Sequence, residues 1–174
     1  MKKITLPSEK NNNTSGIFHK SILLLLLFSA TIVFAQQKNI SDRDDFIKSL
    51  ASEQKETSQH LKKLIDELQP SVYFDNGVLN AYGENPIALF TTPSSISSLP
   101  NADIAFKNIE IVTIRLTKSF ETNSPIDLSV LAAYPKLKYV YIISAVPNNP
   151  QQIIRSVKNI PAQLHVFYKI DLGS

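Results

Sequence analysis

Pro135-Lys136-Leu137-Lys138-Tyr139-Val140-Tyr141-Ile142 holds β-branched and aromatic residues behind a proline, the composition of a strand. Its reading decides the fold, because the same kind of run recurs. Strands are expected at Ile87–Thr91, Ile109–Leu116, Leu137–Ile143 and Leu164–Ile170. Between them lie a short helical turn at Ser94–Leu99 and two helical stretches, Ile126–Tyr134 and Gln151–Ile160. The two longer stretches follow Pro125 and Pro150, and a first turn tolerates proline. Both run into a second proline, Pro135 or Pro161, just before the next strand. Alternating strands and helices imply parallel strands joined by right-handed crossovers. The fold class is therefore α/β with a mostly parallel sheet.

Spacing adds a second constraint. Ile109, Val112 and Ile114 align with Leu137, Val140 and Ile142 at an offset of 28. Leu137 aligns with Leu164 at 27, and Ile87 with Ile109 at 22. A strand-plus-helix unit recurring at this length is how a solenoid looks in sequence. The Pro135–Ile142 run resembles the L-x-x-L-x-L strand of leucine-rich repeats. Asp127-Leu128-Ser129-Val130-Leu131 is similar to the helical part of the preceding repeat. The resemblance covers about residues 86–170 and implies a repeat-built sheet. Thr117, Ala145 and Gly173 stand where that family places its ladder Asn or Cys. A small two-layer or three-layer α/β domain explains the same periodicity.

Upstream of the repeats, Val72-Tyr73-Phe74-Asp75-Asn76-Gly77-Val78-Leu79-Asn80-Ala81 predicts a hairpin. Asn-Gly suits a type I′ turn, in which both central residues need positive φ. A two-residue loop would pair Asp75 with Val78 and Phe74 with Leu79. Residues 36–69 contain neither Pro nor Gly, whereas nine prolines lie at or beyond Pro70. Ser41 is a suitable N-cap there, followed by Asp42, Asp44 and Asp45 at the positive end of a helix dipole. Phe46, Ile47, Leu50, Ala51, Leu61, Leu64, Ile65 and Leu68 recur with helical spacing. The polar stretch Ser52–His60 is either a solvated mid-section or a break between two helices. Residues 36–69 and the α/β region 70–174 are expected to fold as one unit.

The 174-residue chain carries a formal charge of +3 and a pI near 9.0, numbers that invite a nucleic-acid reading. Their distribution removes it. Lys2, Lys3, Lys10 and Lys20 face one acid, Glu9, in the first 35 residues. The remaining chain holds 14 basic and 14 acidic residues and has no net charge. Phosphate binding by counterion release needs clustered Lys and Arg, so no nucleic-acid partner is expected. Ser21–Ala35 is apolar and uncharged, with five consecutive leucines, Leu23–Leu27. It is short for a membrane span but fits the apolar region of a secretory signal. Val33 and Ala35 are small residues at −3 and −1 of a cut before Gln36. Residues 1–35 thus resemble a bacterial Sec signal peptide. The protein is expected in the periplasm or secreted, touching a membrane only during export.

Chemistry-bearing residues are sparse. The absence of Cys removes disulfides and thiolate catalysis. No nucleophile elbow, Walker loop or dinucleotide fingerprint occurs, and only Gly77, Gly83 and Gly173 follow the leader. No cofactor or metal is expected. Asp42, Asp44 and Asp45 lack the Gly and distant Glu of a calcium loop. His60 reads as a solvated helix residue.

One surface remains. If Ile109, Val112 and Ile114 face the core, as Leu137, Val140 and Ile142 would, the opposite sheet face carries Thr113, Arg115, Tyr139, Tyr141, His165 and Lys169. Tyr and Arg suit recognition, since each joins a large contact area to a polar handle. If the N-terminal helix covers that face, its aromatics are core instead. These features favour an exported, non-enzymatic binding or scaffold protein acting on a protein partner through a sheet face. A small exported hydrolase using Asn123, Ser144, Asn148 and Asn149 past the strand ends is a second reading. An immunity-type inhibitor of another protein is a third. N-terminal sequencing of exported material should begin at Gln36; a start at Met1 would contradict the leader assignment.

Overall fold

The structure is a computed structural model that describes residues 40–102 and 106–173. Ala35 and Gln36, the expected cleavage pair, lie outside the described residues. Nine strands are described: β1 (Ser41–Asp42), β2 (Ser71–Asp75), β3 (Val78–Tyr82), β4 (Ala88–Thr91), β5 (Ile111–Leu116), β6 (Ile126–Asp127), β7 (Tyr139–Ser144), β8 (Val157–Lys158) and β9 (His165–Ile170). Helices α1 (Arg43–Glu53) and α2 (Lys55–Asp66) precede β2, and α3 (Pro150–Ser156) follows β7. The main sheet has seven strands in the order β1-β9-β7-β5-β4-β2-β3. Every neighbouring pair is parallel except β2 and β3. The four expected strands are all present, each shortened or shifted by one or two residues. The ladder steps are 23 (Ala88 to Ile111), 28 (Tyr139 opposite Ile111) and 26 (His165 opposite Tyr139). The expected 27 between the last two repeats is thus one residue too long.

A parallel sheet needs cover on both faces, and this one has two cores. On one face Val112, Ile114, Leu116, Val140, Ile142 and Val166 meet side chains of the connections: Ile96, Leu99, Ile109, Leu128, Leu131, Leu137, Ile153 and Leu164. Three successive crossovers therefore return over the same side. They are mostly not α-helical. The expected helix at Ile126–Tyr134 is instead strand β6 followed by a 3-10 helix, Ser129–Ala133. Asp127 Oδ1 accepts the Ser129 N–H at 2.9 Å, an Asx turn that bends the chain away from a helical start. Gln151–Ile160 is helical only to Ser156. Val157 and Lys158 instead pair with Ile126 and Asp127 in a second, two-stranded ladder. Ser94–Leu99 becomes a 3-10 helix at Ile96–Asn101.

The other face is covered by α1 and α2. The polar middle of the N-terminal segment is a break: Gln54 leaves helical geometry at φ −142°, and the helices fold back on each other. Ser58, a small buried residue, donates from Oγ to the Ile47 carbonyl at 3.3 Å where they meet. Arg43 at the start of α1 pairs with Asp66 at the end of α2. Asp42, not Ser41, caps α1, its Oδ1 accepting the Asp44 N–H at 2.8 Å. Ser41 is drawn into the sheet beside Phe167. Ile47, Leu61 and Leu64 pack on Ala88, Ile111, Tyr139, Tyr141 and Phe167. Phe46 stacks on Phe167 at 4.9 Å, and Phe167 on Tyr141 at 5.1 Å. His60 Nε2 meets Glu110 Oε2 at 2.7 Å, joining α2 to the chain just ahead of β5.

Tyr141 is 5% exposed, and burial pushes its hydroxyl up to about 12, partly opposed by Arg43. Replacing it empties part of this core. Tyr141→Ser is expected to cost about 3–5 kcal/mol. In a domain of this size that lowers Tm by roughly 10–20 °C. Calorimetry would check it, and a shift of only a degree or two would contradict the packing.

Candidate functional site

The strand register places all six sequence-selected residues on one face, in three rows. Tyr139 lies opposite His165, Thr113 opposite Tyr141, and Arg115 and Lys169 flank Ile143 on β5 and β9. The helices then divide them. Thr113 and Tyr139 are 4% and 3% exposed, and with Tyr141 they form core under α1 and α2. These three present no recognition surface to solvent. Arg115 and His165 are exposed, and Lys169 is half-buried with Nζ 3.8 Å from Asp171 Oδ2. His165 lies at the margin of the helix cover, its ring 5.7 Å from Phe46 and 6.1 Å from Tyr139.

The helical cover is centred on β5, β7 and β9, and the same face continues past it. On β2, Tyr73 stacks on Phe90 of β4 at 4.6 Å with rings 8° from parallel. Tyr82 of β3 meets Tyr73 edge-on at 5.5 Å. Tyr73 is 40% and Tyr82 61% exposed, and Leu68, just past α2, is fully exposed. A cleft of about 580 Å³ opens between the end of α2 and the hairpin, lined by Leu68, Gln69, Pro70, Ser71, Tyr73, Tyr82 and Gly83. The hairpin is as expected, with Asn76 and Gly77 at φ 49° and 78° and Asp75 opposite Val78. Gly83 closes the cleft. Its φ of 80° disfavours a side chain, and an added Cβ would stand 3.1 Å from the Pro70 Cβ. The site is mostly apolar, with the Gln69 amide and the hydroxyls of Ser71, Tyr73 and Tyr82 as its polar side-chain groups. The Gln69 side chain is tied to the Lys63 carbonyl at 3.0 Å, and Ser71 Oγ donates to the Gln69 carbonyl at 2.6 Å. Such an arrangement can hold an apolar or aromatic group and offers no acid–base pair.

These residues escaped selection because the hairpin reads as turn chemistry. The available signal was Val78–Tyr82, a strand without a single charge beside a two-residue turn.

A polar cluster lies at the C-terminal ends of β2 and β4. Thr92 Oγ1 and Ser95 Oγ both donate to Asp75 Oδ1, at 2.8 and 2.9 Å. The Asn76 N–H donates to Ser95 Oγ at 2.9 Å. The Thr92 hydroxyl, opposed by burial and aided by Ser95, holds the Asp75 carboxyl below its usual 3.8. The cluster locks the hairpin turn to the loop after β4.

Three of the four residues of the hydrolase reading make hydrogen bonds within their loops, while the Asn148 Nδ2 is buried without a partner among the described residues. Ser144 Oγ donates to the Val146 carbonyl at 2.8 Å. Asn149 Oδ1 caps α3 through the Gln151 and Gln152 N–H groups, and Asn148 Oδ1 accepts the Asn149 N–H at 2.8 Å. Asn123 is exposed at the end of the 3-10 helix Ser119–Asn123. Among the described residues no three His, Asp or Glu side chains converge on a metal position. Among the same residues no helix is long and apolar enough to cross a membrane. The chain matches no family model, no curated protein and no solved structure.

Acid should loosen the hairpin. Because the folded Asp75 carboxyl titrates below its unfolded counterpart, its contribution is full above the unfolded value and fades as pH falls through the folded one. Asp75→Asn should therefore lower Tm at pH 7 and lose less than the native chain between pH 5 and about 2.5. Parallel Tm-against-pH curves would contradict this role.

Proposed function

We propose that this chain is an exported, non-enzymatic binding protein that engages a protein partner at the uncovered end of its sheet face. The observation that carries the reading is the aromatic end of that face. Tyr73, Phe90 and Tyr82 form a ring-on-ring platform beside a 580 Å³ cleft, with Leu68 fully in solvent. Apolar side chains gathered at one exposed place mark interaction sites more often than scattered ones do. Tyr offers large, rigid contact area at low conformational cost. The fitting partner group is an apolar or aromatic side chain on an exposed protein segment.

The leader supports export: residues 1–35 carry a basic start, an apolar run and a small-residue cut site before Gln36. The repeat character belongs to the same proposal. Strands β4, β5, β7 and β9 are spatial neighbours in chain order, with their crossovers stacked on one side. That is the arrangement a leucine-rich-repeat-like unit of 23–28 residues would give. The α1–α2 pair then fills most of the face opposite the crossovers and leaves the hairpin ahead of the repeats accessible.

The double variant Leu68→Ser, Tyr82→Ser tests the reading, because both side chains are exposed and their loss leaves the core intact. Native protein should capture a reproducible partner from an extracytoplasmic extract. The double variant should lose it by about tenfold or more, as for hot-spot residues, while Arg115→Ala retains it. Equal capture by all three proteins, or none by the native protein, would contradict the proposal.

A further inference from the structure

The outer edge of the sheet is β3, and its own five residues carry none of the usual charge, proline or bulge. Natural edge strands carry a Lys, a Pro, a bulge or an inward charge that discourages pairing. Val78-Leu79-Asn80-Ala81-Tyr82 has no charge and no proline, all five residues are exposed, and its register with β2 is regular. The two-residue turn makes Asp75–Val78 a hydrogen-bonded pair. Such pairs alternate along an antiparallel ladder, so Leu79 and Ala81 turn their N–H and C=O groups to the open edge.

The segment is also symmetric in character about Asn80. Gly77 and Gly83 flank it, both at positive φ. If two copies meet antiparallel across a two-fold axis at Asn80, Val78 lies opposite Tyr82 and Leu79 opposite Ala81. Asn80 then meets Asn80 as a non-hydrogen-bonded pair. Leu79 and Ala81 supply four backbone hydrogen bonds with their outward groups, the phase that the hairpin leaves free. Tyr opposite Val is a favoured cross-strand pair. No like charges are brought together, and a charged segment of another protein would find no counter-charge on this strand. The contact is isologous, so it closes at two copies and leaves no growing end.

We propose that the chain self-associates through β3, antiparallel and centred on Asn80, joining two seven-stranded sheets edge to edge. The contact is separable from the cleft: of the β3 residues only Tyr82 lines it, and Val78, Leu79, Asn80 and Ala81 do not. The edge is short, so the dimer is weak.

A charge swap tests it. The full-length gene is expressed in an exporting bacterial host, and the purified protein is followed by sedimentation velocity over about 5–200 µM, the range of a weak association. Native protein should shift from monomer toward dimer across this range. Asn80→Lys and Asn80→Asp should each stay monomeric over this range, because the two-fold sets like charges directly opposite. An equimolar mixture of the two should recover association to the native level or beyond. Ala81→Pro, which removes an outward N–H without touching the β2 ladder, should also be monomeric. Circular dichroism establishes that each variant is folded. A native protein that stays monomeric throughout would overturn the proposal. So would dimers of either charged variant alone, or a mixture that fails to associate. Loss of partner capture by Leu68→Ser alone, which lies outside β3, with the dimer retained would separate this contact from the cleft.

Discussion

The stacking of Phe46, Phe167 and Tyr141 is the contact on which the rest of this structure depends. Phe167 is fully buried on β9, one strand in from the β1 edge, with a ring of α1 on one side and a ring of β7 beside it. It seats the helical pair on three strands. Without that seat, a parallel sheet would show an apolar face to water. Two polar clips hold the pair in place from its ends. Arg43 joins α1 to the end of α2, and His60 joins α2 to Glu110 ahead of β5. Neither clip is deeply buried, and exposed pairs contribute little alone. The rings and Leu61, which is wholly buried, carry the energy; the clips fix the direction.

The seat also sets what remains open. Two helices of 11 and 12 residues are each about 17 Å long, from a rise of ~1.5 Å per residue. The seven strands at ~4.8 Å spacing span about 29 Å from edge to edge, more than the ~20 Å that two helices side by side can cover. The uncovered strands are those nearest the hairpin. Tyr73 and Tyr82 pack on one another and on Phe90, which leans on the helix-covered core. The candidate site is therefore a consequence of a cover narrower than its sheet.

Much of this was legible in the sequence. Strand positions followed from the proline-bounded β-branched runs, and the hairpin register from Asn76-Gly77. The period of two correctly placed Thr113, Tyr139 and Tyr141 on a common face. The lateral position of the helices was not legible. The spacing of Ile47, Leu61 and Leu64 shows that α1 and α2 own an apolar stripe, but not which strands it meets. That choice rests on ring packing between residues more than a hundred positions apart. The connections misled for a related reason. Ile126–Tyr134 has helical spacing, yet the Asp127 turn and the pairing of Ile126 with Val157 outweigh it. The Asp75 cluster joins segments 17 and 20 residues apart, and no local pattern announces it.

All six tyrosines of the chain are described, and burial divides them: Tyr139 and Tyr141 lie under the helices, Tyr134 and Tyr168 under the crossovers. Tyr73 and Tyr82 lie on the open end, while Tyr134, Tyr139, Tyr141 and Tyr168 are buried. Nitration with limiting tetranitromethane, read residue by residue by mass spectrometry, reports that division directly. The account predicts rapid modification of Tyr73 and Tyr82 and protection of the other four until the protein unfolds. Modification of Tyr139 and Tyr141 as fast as Tyr82 would contradict it, for the helices would then not be seated on the sheet.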